Sequence, residues 1–117
     1  MKKLAPTLRL KNLAKTFDSQ LIFENLNVDV YENEIVALLG PSGCGKSTLL
    51  RMIAGLESVD TGGIDFSESM QTGVGYVFQK PILYPHLDVA GNVALGIGER
   101  ITKKKRNEKI ANELCLV

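Results

Sequence analysis

The chain has 117 residues, 44% of them hydrophobic and 23% charged, the balance of a globular rather than a disordered polypeptide. Its 14 basic and 13 acidic residues nearly cancel, so net charge gives no push toward nucleic acid. Two cysteines, no signal-like apolar amino terminus and no apolar run of membrane-spanning length lead to a cytosolic expectation, with any membrane association made through a partner.

In chain order, the first predicted elements are antiparallel strands. Leu8 and Leu10 alternate with Thr7, Arg9 and Lys11, and a turn is expected at Asp18-Ser19-Gln20. Leu26, Val28 and Val30 then alternate with Asn27, Asp29 and Tyr31, which gives one buried face. The turn Glu32-Asn33-Glu34 follows, where asparagine tolerates a left-handed backbone. Next, Ile35-Val36-Ala37-Leu38-Leu39 is a continuous apolar run, expected as a parallel strand buried on both faces. A helix is predicted on Leu49, Leu50 and Ile53, with Gly55 as its stop. The polar stretch from Gly62 to Gly75 leaves the number of antiparallel strands open. Val74, Tyr76 and Phe78 predict a further strand that ends at Gln79. Asp88 is expected to cap a helix carrying Val89, Val93 and Ile97, and a second helix after Thr102 to bury Ile110, Leu114 and Val117. The run Lys103-Lys104-Lys105-Arg106 reads as the solvated first turn of that helix rather than an anionic-ligand patch.

Between the apolar run and the first helix stands Gly-Pro-Ser-Gly-Cys-Gly-Lys-Ser-Thr, Gly40 to Thr48, which satisfies the phosphate-loop pattern G-x-x-x-x-G-K-[ST]. A triphosphate is held most cheaply by inward-pointing backbone N–H groups backed by the positive end of a helix dipole. Gly40, Gly43 and Gly45 allow the backbone to curl that tightly, Pro41 stiffens the entry, and Ser42 is a further candidate binding residue of the loop. Lys46 can reach the β- and γ-phosphates, the Ser47 hydroxyl suits Mg²⁺, and Thr48 can donate to the α-phosphate. Each charge-assisted hydrogen bond is worth about 1.5–3 kcal/mol, enough together for micromolar binding. Cys44 has two readings, a thiol whose modification blocks the site or a small residue that fits the loop; the second is preferred. A plain glycine-rich turn is disfavoured by the strand-to-helix setting.

Three segments together resemble the ATP-binding subunit of ABC transporters, especially importers of the bacterial type. They are the phosphate loop with its helix (Gly40 to Glu57), Gly75-Tyr76-Val77-Phe78-Gln79 with Leu83-Tyr84-Pro85-His86-Leu87, and Leu13-Ala14-Lys15-Thr16-Phe17. The resemblance implies an α/β fold, a P-loop NTPase core of ABC type with an antiparallel β subdomain. It also implies that Phe17 stacks on adenine, a contact worth about 1–3 kcal/mol; the competing reading is a core phenylalanine. Gln79 matches the family glutamine that contacts Mg²⁺ or the attacking water and links the nucleotide to the membrane partner; the competing reading is a surface residue ending a strand. Lys46 and Gln79 are thus the candidate catalytic residues, and Ser47 and Gln79 the candidate metal contacts. ATP and Mg²⁺ are the implied ligands. Implied partners are membrane-spanning subunits and a second ATP-binding subunit, at the inner face of the cell membrane. His86 does not inherit the family's catalytic histidine role, and neither it nor the cysteines have metal-site spacing.

No signature resembling Leu-Ser-Gly-Gly-Gln and no apolar run ending in Asp-Glu occurs in the sequence. Residues 1–117 are therefore expected to be a partial nucleotide-binding domain. It runs from the phosphate loop into the start of the helical subdomain, without the central parallel strands and most of that subdomain. Such a chain is expected to fold weakly and not to hydrolyse ATP alone. The alternative function is a non-hydrolysing nucleotide-binding fragment, or half of a split subunit completed by a separate chain. A GTPase ranks far below, since no Asn-Lys-x-Asp motif is present. A DNA-repair or translation-associated ATPase of the same superfamily stays open.

Overall fold

The computed structural model describes residues 5–70, 73–97 and 102–115. The chain divides into two compact units, Met1–Val77 and Phe78–Val117.

The first unit is built on a hairpin. Strand β1 (Leu8–Phe17) and strand β2 (Gln20–Val30) pair antiparallel, with Leu8 opposite Val30 and Leu10 opposite Val28. Asp18 and Ser19 both have positive φ, 45° and 65°, as a two-residue turn between right-twisted strands requires. Gln20, expected in that turn, is instead the first residue of β2. The register shifts after Leu10, where Asn12 has φ 46°. Asn12 N–H donates to the Asn27 side chain at 3.0 Å, which satisfies a group that the bulge removes from the ladder. Beyond the shift, odd-numbered Leu13 and Lys15 are buried where even-numbered Leu10 was before it.

Residues 31–34 form the expected turn, with Asn33 at φ 61° and Tyr31 N–H donating to the Glu34 carboxylate at 2.8 Å. The run Ile35–Leu39 was expected as a buried strand, but it belongs to no strand. A strand exists through its ladder, and no described segment pairs with this one. Ile35 is 97% exposed and Leu39 92%. The Val74–Phe78 segment is likewise outside any strand, with Val77 94% exposed.

Helix α1 (Lys46–Ile53) buries Leu49 and Met52 against Leu10 and Leu13, and Ile53 packs beside them. Leu50, assigned to the buried face from sequence, is exposed, because the i, i+3, i+4 stripe runs through Leu49, Met52 and Ile53. The helix ends as predicted. Gly55 adopts φ 71°, its N–H bonds to Met52 O at 3.1 Å, and Leu56 N–H bonds to Arg51 O at 2.8 Å. This pair of bonds is the Schellman closure, and it needs a left-handed residue at that position. Strand β3 (Thr61–Phe66) then pairs antiparallel with β1, Ile64 opposite Leu10, which settles the sheet order as β2-β1-β3.

Among the described residues the second unit holds two helices. Asp88 caps α2 (Val89–Ala94) by accepting the Gly91 N–H at 2.7 Å. That helix is shorter than expected; Ile97 lies past its end and Val89 is exposed. Helix α3 (Lys103–Cys115) buries Ile110. Leu114 is exposed, contrary to expectation, and Val117 lies outside the described residues. Lys103, Lys104 and Lys105 are solvated. Arg106 is half-buried and donates to Ala94 O at 3.2 Å, which places a cation at the carbonyl end of α2. Among the described residues no helix is long and apolar enough to cross a membrane.

Candidate functional site

The loop from Gly40 to Thr48 follows the apolar run and opens directly into α1. Cys44 N–H bonds to Pro41 O at 3.4 Å, closing a turn over exposed Ser42 and Gly43. Gly43 and Gly45 have φ of 79° and 99°. Gly45 is constrained twice, because a Cβ there would also collide with Ile22 of β2. The sheet therefore sets how closely the loop approaches it. At Gly40 a Cβ would stand 2.7 Å from the Cys44 sulfur, so the two ends of the loop are in contact distance.

Gly45 also serves as the N-cap of α1, and no side chain caps that helix. Its first turn carries no acidic residue and its last turn carries Arg51. The positive end of the dipole is thus left for an external anion, at the mouth of a loop whose N–H groups precede it. The Lys46 ammonium bends back over this loop and donates to Gly40 O and Pro41 O, both at 2.7 Å, with the Cys44 sulfur at 3.5 Å. Carbonyl oxygens are weaker partners for an ammonium than phosphate oxygens, so the cation is poised where an anion can recruit it. Ser47 is exposed and Thr48 half-buried, on the first turn of the helix.

Residues of this loop suit a triphosphate: an uncapped helix start, two left-handed glycines and one exchangeable set of ammonium contacts lie within nine residues. Among the described residues no group of three or more His, Cys, Asp or Glu side chains could hold a metal ion. A divalent ion here would depend on the Ser47 hydroxyl and on oxygens brought by the ligand.

Phe17 ends β1 at the hairpin turn and is 42% exposed. It is not a core side chain, and the turn holds it at the tip of the sheet. Gln79 belongs to the second unit, where it lies on an exposed bend. The first unit thus carries the loop, α1 and the Phe17 hairpin, with α1 and the sheet sharing one core. Further along, Tyr84 and His86 meet edge to face, ring centroids 5.6 Å apart. Asn92 ties this segment down: its carbonyl oxygen accepts Tyr84 N–H at 2.8 Å, and its amide donates to Tyr84 O, Leu87 O and Asp88 O at 2.9–3.2 Å.

Sequence reasoning missed one cluster. Lys15, 4% exposed, lies 3.0 Å from Glu57 and 3.2 Å from Asp60, and donates to Ser58 O at 2.9 Å. The hydrogen bond to Glu57 holds the ammonium above its ordinary pKa against the opposing effect of burial. Asp60 is held below the usual carboxylate value, first by the Thr16 N–H at 2.8 Å and then by Lys15. The available signal was a lysine at an alternate position between Leu13 and Phe17, hidden because the bulge at Asn12 reverses the faces.

Comparison with known proteins agrees with this geometry. The family model for ABC transporters matches residues 23–117. The maltose/maltodextrin import ATP-binding protein MalK of Mannheimia succiniciproducens is 42% identical over 113 residues, which are 91% of this chain and 30% of that protein. MalK of Escherichia coli K12 is 40% identical over 118 residues, 95% of this chain and 32% of that protein. Among solved structures, cbiO1 of Clostridium perfringens, part of the ABC transporter complex cbiONQ, superposes with TM-score 0.74 at 23% identity, over 94% of this chain and 49% of that one. The ATP-binding cassette MJ0796, a dimer bound to ADP and phosphate, gives TM-score 0.72 at 27% identity, over 90% and 54%. The chain spans about a third of the curated relatives and about half of the solved chains. With its phosphate-loop geometry, its three-stranded antiparallel sheet and a family match over most of its length, the chain belongs to the ABC transporter family.

Proposed function

We propose that the loop from Gly40 to Thr48 binds the triphosphate of ATP with Mg²⁺, and that the chain is part of the energy-coupling ATPase subunit of an importer. The observation that carries this reading is the uncapped start of α1 beneath two left-handed glycines, with the Lys46 ammonium resting on atoms of the loop itself. Amides from Gly43 to Thr48 would take the β-phosphate, Lys46 would swing from the Gly40 and Pro41 carbonyls to the β- and γ-oxygens, and Thr48 would donate to the α-phosphate. Ser47 would hold Mg²⁺, which when bound neutralises phosphate charge. Phe17 offers its exposed ring to adenine. Gln79 would contact the metal or the attacking water and pass the state of the γ-phosphate toward a membrane-spanning partner. The segment from Gln79 to Asn92, tied by the Asn92 amide, is the surface offered to that partner.

MalK relatives are import ATP-binding proteins, and MJ0796 is a dimeric cassette. By analogy a second ATP-binding subunit would complete the site, placing the assembly on the cytoplasmic face of a membrane. Residues 1–117 would be a partial nucleotide-binding domain that needs further residues, in the same or a separate chain, for hydrolysis.

Equilibrium binding of Mg-ATP to the chain and to Lys46→Ala tests the proposal. Micromolar binding is expected for the parent chain and a loss of about tenfold or more for the variant, since one charge-assisted contact disappears. Equal binding by both would remove Lys46 from the site. Multiple-turnover phosphate release by these residues alone would contradict the proposed dependence on further residues.

A further inference from the structure

Lys15 is the most deeply buried charge among the described residues, and its surroundings exceed what a simple ion pair needs. Burying an ammonium is costly unless its protons are all engaged. Here Glu57, Asp60 and the Ser58 carbonyl take them at 3.0, 3.2 and 2.9 Å. The second Asp60 oxygen accepts Thr16 N–H at 2.8 Å, so the two residues before Phe17 are both fastened to residues 57–60. The same ammonium stands over the Phe17 ring, 4.9 Å from its centroid, inside the cation–π range of about 6 Å. Residues 57–60 follow α1, whose other end is the phosphate loop. The helix of eight residues, about 12 Å long, is therefore a strut between that loop and the clamp on Phe17.

We propose that Lys15 is a positioning residue for the base: held by Glu57, Asp60 and Ser58, it fixes one face of the Phe17 ring, presents the other to the purine, and sets the spacing between base and phosphate sites. This rests on the reading of Phe17 as the adenine platform. A lysine that served packing alone would have no preference among ligands. A platform lysine affects only ligands that carry a base.

The test measures equilibrium binding of Mg-ATP and of magnesium tripolyphosphate, which has no base, to the full chain and its variants. Lys15→Met is expected to weaken Mg-ATP by about three- to tenfold and leave tripolyphosphate unchanged. In a Phe17→Ala background it should cause no further loss, and Lys15→Arg should restore most of the affinity. Should Lys15→Met misfold on its orphaned carboxylates, the pair Lys15→Met with Glu57→Gln is read in the same way. Equal loss for both ligands, or an undiminished loss in the Phe17→Ala background, would reduce Lys15 to packing. Phe17→Ala binding Mg-ATP like the parent would remove the platform itself and this inference with it. If Phe17→Ala weakens ATP while Lys15→Met does not, only the role of Lys15 falls.

Discussion

Gly45 shows how much a single position can be asked to do. It is left-handed at φ 99°, it caps α1, and it lies too close to Ile22 to carry a Cβ. Gly45→Ala should therefore combine the cost of a left-handed alanine with overpacking, about 2–4 kcal/mol in all. A lowered urea midpoint with unchanged slope would show it; an unchanged midpoint would mean the loop relaxes freely. The phosphate-loop residues were legible in sequence because their spacing is local and each residue type answers one need. Lys15 was not, because its partners Glu57 and Asp60 are more than forty positions away and the bulge at Asn12 reverses the expected face. That cluster carries its own pH signature. Asp60 is held below its ordinary value of 3.8, so its stabilisation is complete above about pH 4 and is lost as pH falls through the lower folded-state value. Lys15 is held above 10.5, so its contribution is complete below that value and fades only as pH rises past the folded-state one. Asp60→Asn should lower the urea midpoint at pH 7 and flatten its fall on the acid side below pH 4. A parallel acid limb in the variant would assign the acid sensitivity elsewhere.

Helix ends, turns and hairpins were legible where one residue decides them: Gly55 closes α1, Asn33 turns the chain, and Asp88 opens α2. Apolar runs were less informative. Ile35–Leu39 has the composition of a central strand, yet composition supplies no neighbour, and a strand needs one. Val74–Phe78, expected as a strand from its alternation, likewise belongs to no strand. Helix α2 was overread because Val89, Val93 and Ile97 fit helical spacing although Leu95-Gly96 ends the regular turn. What fixes the segment from Tyr84 to Asp88 is instead one amide, Asn92, bonded at both of its polar atoms. Asn92→Ala should cost about 1–3 kcal/mol locally. Hydrogen exchange would register it as lost protection of the Tyr84 amide with Leu10 unaffected; retained protection at Tyr84 would show that the loop is held by other means.

At the largest scale, long apolar runs lie open to solvent. Ile35, Leu39 and Val77 are nearly fully open to solvent, and the segments that hold them belong to no strand among the described residues. Such edges recruit partners. Sedimentation velocity should show association that grows with concentration and weakens in Ile35→Lys with Leu39→Lys; a monomer at all concentrations would indicate that these runs are covered in solution. The opening of α1 is where the triphosphate would dock, and amide resonances there report on its arrival. On addition of Mg-ATP to ¹⁵N-labelled chain, the largest shifts are predicted at Gly43, Gly45, Lys46, Ser47 and Thr48, with a second group around Phe17. Shifts gathered elsewhere, or none at saturating nucleotide, would contradict the account.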